Sequence, residues 1–258
     1  MNDYSIKDLW LSGVRWEIAD VPMALRAKWA ENAQSVSQSN ASQPIDNSAR
    51  TGVTVVPPIA PTMTISLETA ESMASRPTDI ENLNRMIGEF NHPLRAGATQ
   101  TVFPNIAKNP NGLVIITDVP GADDDASGRV LSGATGELFD KMLGAIGMSR
   151  DNVSIVPIVF WRTPGGRTPT DSELALARPF VNRLLEFLSP KMILTLGATP
   201  AAAIANVKLA SNHGKVVQTQ SGTPVMPIYH PNYLLLKPSA KREVWTALQE
   251  LQNLLKNQ

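Results

Sequence analysis

Cysteine is absent from the 258-residue chain. Its absence removes disulfides and thiolate-held iron–sulfur clusters at once. Histidine is nearly as scarce: His92, His213 and His230 are the only three, which leaves little for a metal site. No charge sign predominates, with 23 Lys and Arg against 23 Asp and Glu. No whole-surface field therefore announces a polyanionic partner, and any nucleic-acid contact has to come from a local patch. No apolar run approaches the ~18 residues of a membrane span. The opening MNDYSIKDLW lacks the layout of a signal peptide. The expectation is a cytoplasmic protein with no membrane partner, long enough for one sizeable domain plus an extension.

Three textures follow one another along the chain. Residues 1–30 carry Ile6, Leu9, Trp10, Val14 and Ile18 at roughly helical spacing, which predicts a short amphipathic helix. That helix with Trp10 and Trp16 either docks on its own domain or binds a protein partner. Residues 31–77 begin rich in Ser, Asn, Gln and Pro and read as a flexible low-complexity linker. From 78 to 258 apolar runs alternate with amphipathic stretches. GLVIITDVP, VSIVPIVF, KMILTLG and VMPIYH read as strands. Between and around them, TDIENLNRMIGEF, GATGELFDKMLGAIG, TDSELALARPFVNRLLEFL, TPAAAIANV and SAKREVWTALQELQNLL read as helices. Caps are expected at Thr78 or Asp79 and at Thr170 or Asp171. Strands alternating with helices predict a three-layer α/β/α domain around a short, mainly parallel four-stranded sheet.

In such sheets ligands bind outside the carboxyl ends of the strands. The segments leaving those ends are TDVPGADDD, FWRTPGGRTPT, LGATP and YHPNYLLL, the least ordinary stretches of the chain. HPNYLLLKPSAKREVW, residues 230–245, puts an imidazole, three leucines and three cations on that one edge. Taken alone, a histidine after a strand is as readily structural, and the leucines as readily pack beneath the last helix. Convergence on one edge is what favours a site.

The motifs TDVPGADDDASGRVLSGATGELFDKML, WRTPGGRTPT, ILTLGA and PIYHPNYLLLKPSAKREVW resemble, in order and spacing, those of the uracil-DNA glycosylase superfamily. The likeness runs over about residues 88–255 and is greatest to the iron–sulfur (family 4) branch. It implies hydrolysis of the N-glycosidic bond of uracil or a related deaminated base in DNA, with the base flipped out of the helix. His230 matches the motif histidine and would stabilise the negative charge on the departing base. Asp118 falls on the glutamate of the family's GEAPG pattern and would position the water. Val119, Pro120 and Gly121, with Leu131 and Gly166, would shape the base pocket. Asn232, Tyr233, Leu234 and Leu235 match the loop that pries the base out, Asn232 on its pocket side. Arg162, Arg167, Lys237, Lys241 and Arg242 would form the phosphate patch. The run Asp123–Asp125 would hold the first loop together, or else is a solvated face.

The departures are as specific as the matches. His92 and Glu89 stand where the resemblance puts the N-terminal pair of cluster cysteines, Trp161 and Ala177 where it puts the other two. Neither an iron–sulfur cluster nor any other cofactor is therefore expected, and packing around Trp161 would take the cluster's structural place. Leu131 replaces the aromatic residue that stacks on uracil, a contact worth ~1–3 kcal/mol. Gly166 replaces the asparagine that reads the base edge, Asp118 shortens the glutamate, and Leu236 stands where an arginine often follows. The expectation is a monomeric DNA glycosylase. Its rival is a superfamily member that has lost catalysis and serves as a DNA-binding or repair-scaffold module. A small-molecule nucleotide-binding protein is weaker, since no GxxxxGK loop is present.

Overall fold

The structure is a computed structural model that describes residues 66–256. The segment 1–30 and residues 31–65 of the expected linker lie outside the described residues.

Five strands form one sheet in the order β2-β1-β3-β5-β4. They are β1 (Leu113–Thr117), β2 (Ser154–Pro157), β3 (Met192–Leu196), β4 (Val217–Gln218) and β5 (Pro224–Ile228). β1, β2, β3 and β5 run parallel, while β4 pairs antiparallel with β5. The four expected strands are those four. The fifth is a two-residue edge, too short to leave any alternation in the sequence.

The central strands are buried on both faces, so they read as continuous apolar runs. Alternate residues supply two cores. Leu113, Ile115, Leu194, Met226 and Ile228 face one side. There they meet Leu138, Phe139, Met142 and Leu143 of α4 (Gly133–Ala145) and Val244, Leu248 and Leu251 of α9 (Lys241–Lys256). Val114, Ile116, Val156, Ile193 and Val225 face the other. Their partners come from α1 (Leu67–Ser75), α2 (Ile80–Glu89) and α5 (Asp171–Leu188). This is the three-layer α/β/α arrangement.

The first of these helices lies within the stretch read as linker, yet it buries Ala70 and Ala74 in the second core. An i, i+4 pair of alanines is a narrow apolar stripe, and Ser, Glu and Thr around it gave the segment a linker's composition. The remaining helices are short: α3 (Ala122–Ser127), α6 (Ala198–Ala205), α7 (Leu209–Asn212) and α8 (Pro231–Leu236).

The strand order locates a crevice. From β1 the chain moves to β2 on one side, and from β3 it moves to β5 on the other. The loops leaving β1 and β3 therefore diverge, which is the switch point at which open α/β sheets bind ligands.

Candidate active site

Asp118, Gly197 and the Tyr229-His230 pair follow directly on three adjacent strands. Thr117 pairs with Leu196 across β1 and β3, and Leu196 with Ile228 across β3 and β5. The sheet register thus sets the three segments side by side.

The β1 loop is held by its own acids. Asp124 accepts from Gly121 N at 2.9 Å and from Ser132 N at 2.6 Å. Asp125 accepts from Thr99 N at 2.8 Å and Gln100 N at 3.2 Å. Both are buried while Asp123 is exposed, so two of the three acids brace the loop. Pro120 is buried, Val119 half-buried and Gly121 exposed. Asp118 divides its carboxylate. Oδ1 accepts from Val119 N at 2.9 Å. Oδ2 faces Gly197, where a Cβ would lie 3.0 Å from it. Gly197 also sits at φ +107, a backbone that a side chain rarely adopts.

His230 caps α8. Its Nδ1 accepts from Asn232 N at 3.2 Å, and its Nε2 lies 3.1 Å from Thr117 Oγ1. Burial pushes its pKa below the ordinary histidine value, against the opposing pull of Asp118 and, less, Asp124. The ring is therefore neutral at pH 7. With Nδ1 occupied as an acceptor, its proton belongs on Nε2.

Other expected residues are placed less simply. Leu131 is only 3% exposed and its side chain belongs to the first core. It has no surface on which a base could stack. Its backbone is left-handed at φ 52, and its carbonyl accepts from Arg150 Nη2 at 2.6 Å. Gly166 is exposed at φ +71 and open space surrounds its Cβ position. Of the leucines in α8, Leu234 is fully buried in the first core and cannot act as a wedge. Leu235 is 42% exposed and Leu236 79%, so the exposed apolar pair is Leu235-Leu236. Asn232 and Tyr233 are exposed beside them. Tyr233 stacks obliquely on Tyr229 at 4.9 Å, and Lys237 Nζ stands 5.9 Å from the Tyr233 ring.

Among the expected cations, Arg242 and Lys237 are exposed, and Arg162 and Lys241 half-buried. Burial, and then Lys141, lower the pKa of Lys241. Arg167 is engaged elsewhere. Its guanidinium grips the Glu173 carboxylate at 2.6 and 2.8 Å and holds the Glu173 pKa down to about 2. Glu173 also accepts from Thr170 N at 2.7 Å, closing the loop 161–170 onto the start of α5. A bidentate, half-exposed pair of this kind leaves Arg167 less charge to offer a phosphate.

Three of the four positions where the resemblance put cysteines lie in the opposite core. His92, Trp161 and Ala177 are buried, while Glu89 is exposed. His92 and Trp161 stack at 4.8 Å and 12°, with Phe90 and Phe180 beside them. Both ring nitrogens of His92 are in use: Nε2 donates to the Glu173 carbonyl at 3.0 Å, and Nδ1 accepts from Leu94 N at 3.2 Å. Trp161 Nε1 donates to Thr101 Oγ1 at 3.0 Å. These residues do not fit an iron–sulfur cluster: no thiolate is available, and rings fill the space. Among the described residues, no group of three His, Asp or Glu side chains is arranged to hold a metal ion.

Thr117, Gly197, Glu173 and Leu236 are site or loop-bracing residues that the sequence reading did not assign these parts. A threonine ending an apolar run and a glycine directly after a strand are the signals that mark the first two.

A family model described as the uracil DNA glycosylase superfamily matches residues 103–252. A type-4 uracil-DNA glycosylase of Archaeoglobus fulgidus is 30% identical over 149 residues, covering 54% of this chain and 75% of that protein. One from Thermotoga maritima is 28% identical over 176 residues, covering 67% and 83%. One from Pyrobaculum aerophilum is 29% identical over 174 residues, covering 64% and 89%.

Proposed function

The chain belongs to the uracil DNA glycosylase superfamily, and from that premise we propose that it hydrolyses the N-glycosidic bond of uracil or a related deaminated base in DNA, without a cofactor. The observation that carries this reading is a pairing at the switch point. The Asp118 carboxylate, with Oδ1 on Val119 N and Oδ2 facing Gly197, stands on the edge that also carries His230, whose Nδ1 accepts from Asn232 N.

Breaking the C1′–N bond leaves positive charge on the sugar and sends the electron pair to the base. Asp118 Oδ2 orients a water toward C1′ and balances the sugar's charge. His230 Nε2–H donates to the base oxygen on which negative charge develops, an interaction typically worth ~10²–10³ in rate. A neutral donor at pH 7 does this without burying a permanent cation. Leu235 and Leu236 enter the base stack, offsetting an unstacking cost of a few kcal/mol. Lys237, Lys241, Arg242 and Arg162 hold the backbone.

Asp118→Asn tests the water's role. Abasic-site formation on a uracil oligonucleotide, under single-turnover conditions, should slow by about 10²-fold or more with DNA binding unchanged. An equal rate would remove Asp118 from the chemistry. A specific observation favours a second reading, the binding module. Buried Leu131 and side-chain-free Gly166 leave two of the expected base contacts unmade. Salt-dependent DNA binding set by Lys237, Lys241 and Arg242, with no excision by the native protein, would select it.

A further inference from the structure

Thr117 closes β1 and is 3% exposed, an unusual place for a hydroxyl unless something receives it. What lies against it is His230: Thr117 Oγ1 is 3.1 Å from Nε2. The other ring nitrogen is already committed, since Nδ1 accepts from Asn232 N at 3.2 Å. A neutral imidazole whose Nδ1 accepts must carry its proton on Nε2. The hydroxyl oxygen is then the acceptor, and the ring is clamped at both nitrogens by two different segments, the end of β1 and the start of α8.

We propose that Thr117 is a positioning residue for His230: its Oγ1 accepts the Nε2–H that Asn232 N leaves on the ring, fixing the plane of the imidazole that meets the departing base. The second half of this statement rests on the glycosylase reading; the first does not. The pattern GEAPG, which sets its glutamate on Asp118, sets a glycine on Thr117, so the hydroxyl is a feature this chain has and that pattern lacks.

The clamp acts differentially along the reaction. A neutral hydroxyl is a modest acceptor, whereas a base oxygen gaining negative charge is a strong one. As charge develops, Thr117 Oγ1 keeps its hold on the ring while Nε2–H is shared with the base oxygen, with no change of tautomer and no proton transfer to the hydroxyl. An interaction that strengthens only toward the transition state raises the chemical rate rather than ground-state affinity. Preorganising the donor matters more here than where a stacked aromatic ring and an amide already fix the base, because Leu131 is in the core and Gly166 has no side chain.

The test uses the full chain with Thr117→Val, which keeps the β-branched shape, and Thr117→Ser, which keeps the hydroxyl. Nitrogen-15 NMR of the three histidine rings reads the tautomer directly. Native protein and Thr117→Ser should show the same His230 Nε2 shift, while Thr117→Val should show it displaced, with the tautomer kept by Asn232 N. Single-turnover excision should fall roughly ten-fold in Thr117→Val, the scale of one neutral hydrogen bond. Thr117→Ser should recover most of the rate, and the Kd for DNA should be the same in all three. Unchanged His230 nitrogen shifts in Thr117→Val would overturn the inference whatever the rates. Shifts that move as expected in a protein that excises no base would sustain the clamp and refute the glycosylase reading instead.

Discussion

Asp118 and Gly197 are best understood as one unit. The carboxylate gives Oδ1 to the backbone of Val119 and turns Oδ2 toward the end of β3. Only a residue without a Cβ leaves space for it there. Gly197→Ala would place a methyl 3.0 Å from Oδ2 on a backbone at φ +107. Displacing the carboxylate by about 1 Å should slow single-turnover excision by about 10²-fold. The backbone strain should cost roughly 1–3 kcal/mol in urea denaturation. Loss of stability with full activity would show that Oδ2 has no part in the chemistry. At this scale the sequence was legible in where Asp118 and His230 stand, just beyond the ends of β1 and β5. It was silent about Leu131 and Leu234, because a leucine's letter does not say whether it faces a base, a groove or the core.

The loop 161–170 is the element on which this chain departs furthest from its resembling branch. Trp161 fills the second core against His92, Phe90 and Phe160. His92 in turn donates to the carbonyl of Glu173, whose carboxylate holds Arg167 and Thr170 N. Aromatic packing and one ion pair thus brace the loop. Trp161→Ala should cost about 3–5 kcal/mol, read from the urea midpoint, and Trp161→Phe much less. A cost under about 1 kcal/mol would mean that the stack does not organise the loop. The caps of α2 and α5 were readable, each to one of two residues, and the structure selects Asp79 and Thr170. α1 and β4 were not readable. A two-alanine stripe and a two-residue edge carry too little apolar surface to set a period.

Between pH 8 and pH 3, the shifted groups of the described domain act on stability in one direction. His92, His213 and His230 are all pushed below the ordinary value of 6.5, burial being the main cause for each. Glu173 is held at about 2, below its usual 4.5, mainly by Arg167. A depressed folded-state pKa means that the unfolded chain binds more protons below the unfolded value, so stability falls as pH falls. Loss should begin near pH 6.5 from the histidines and continue below about 4.5 from Glu173. Urea midpoints measured from pH 8 to pH 3 should decline in those two stages, and Glu173→Gln should flatten the second. A constant midpoint would contradict the buried, neutral state assigned to the imidazoles. The architecture was the most legible feature of all, because four strands buried on both faces cannot disguise their apolar runs. The order of the strands was not, and it is that order which sets Asp118 beside Gly197.

One measurement bears most directly on the central claim: single-turnover release of uracil from single-stranded and mispaired oligonucleotides by the native protein and by His230→Ala. The native protein should give an abasic product, and His230→Ala a rate lower by about 10²–10³, with DNA binding retained. Equal rates would remove His230 from the chemistry, and no product from the native protein would contradict the assignment of a glycosylase.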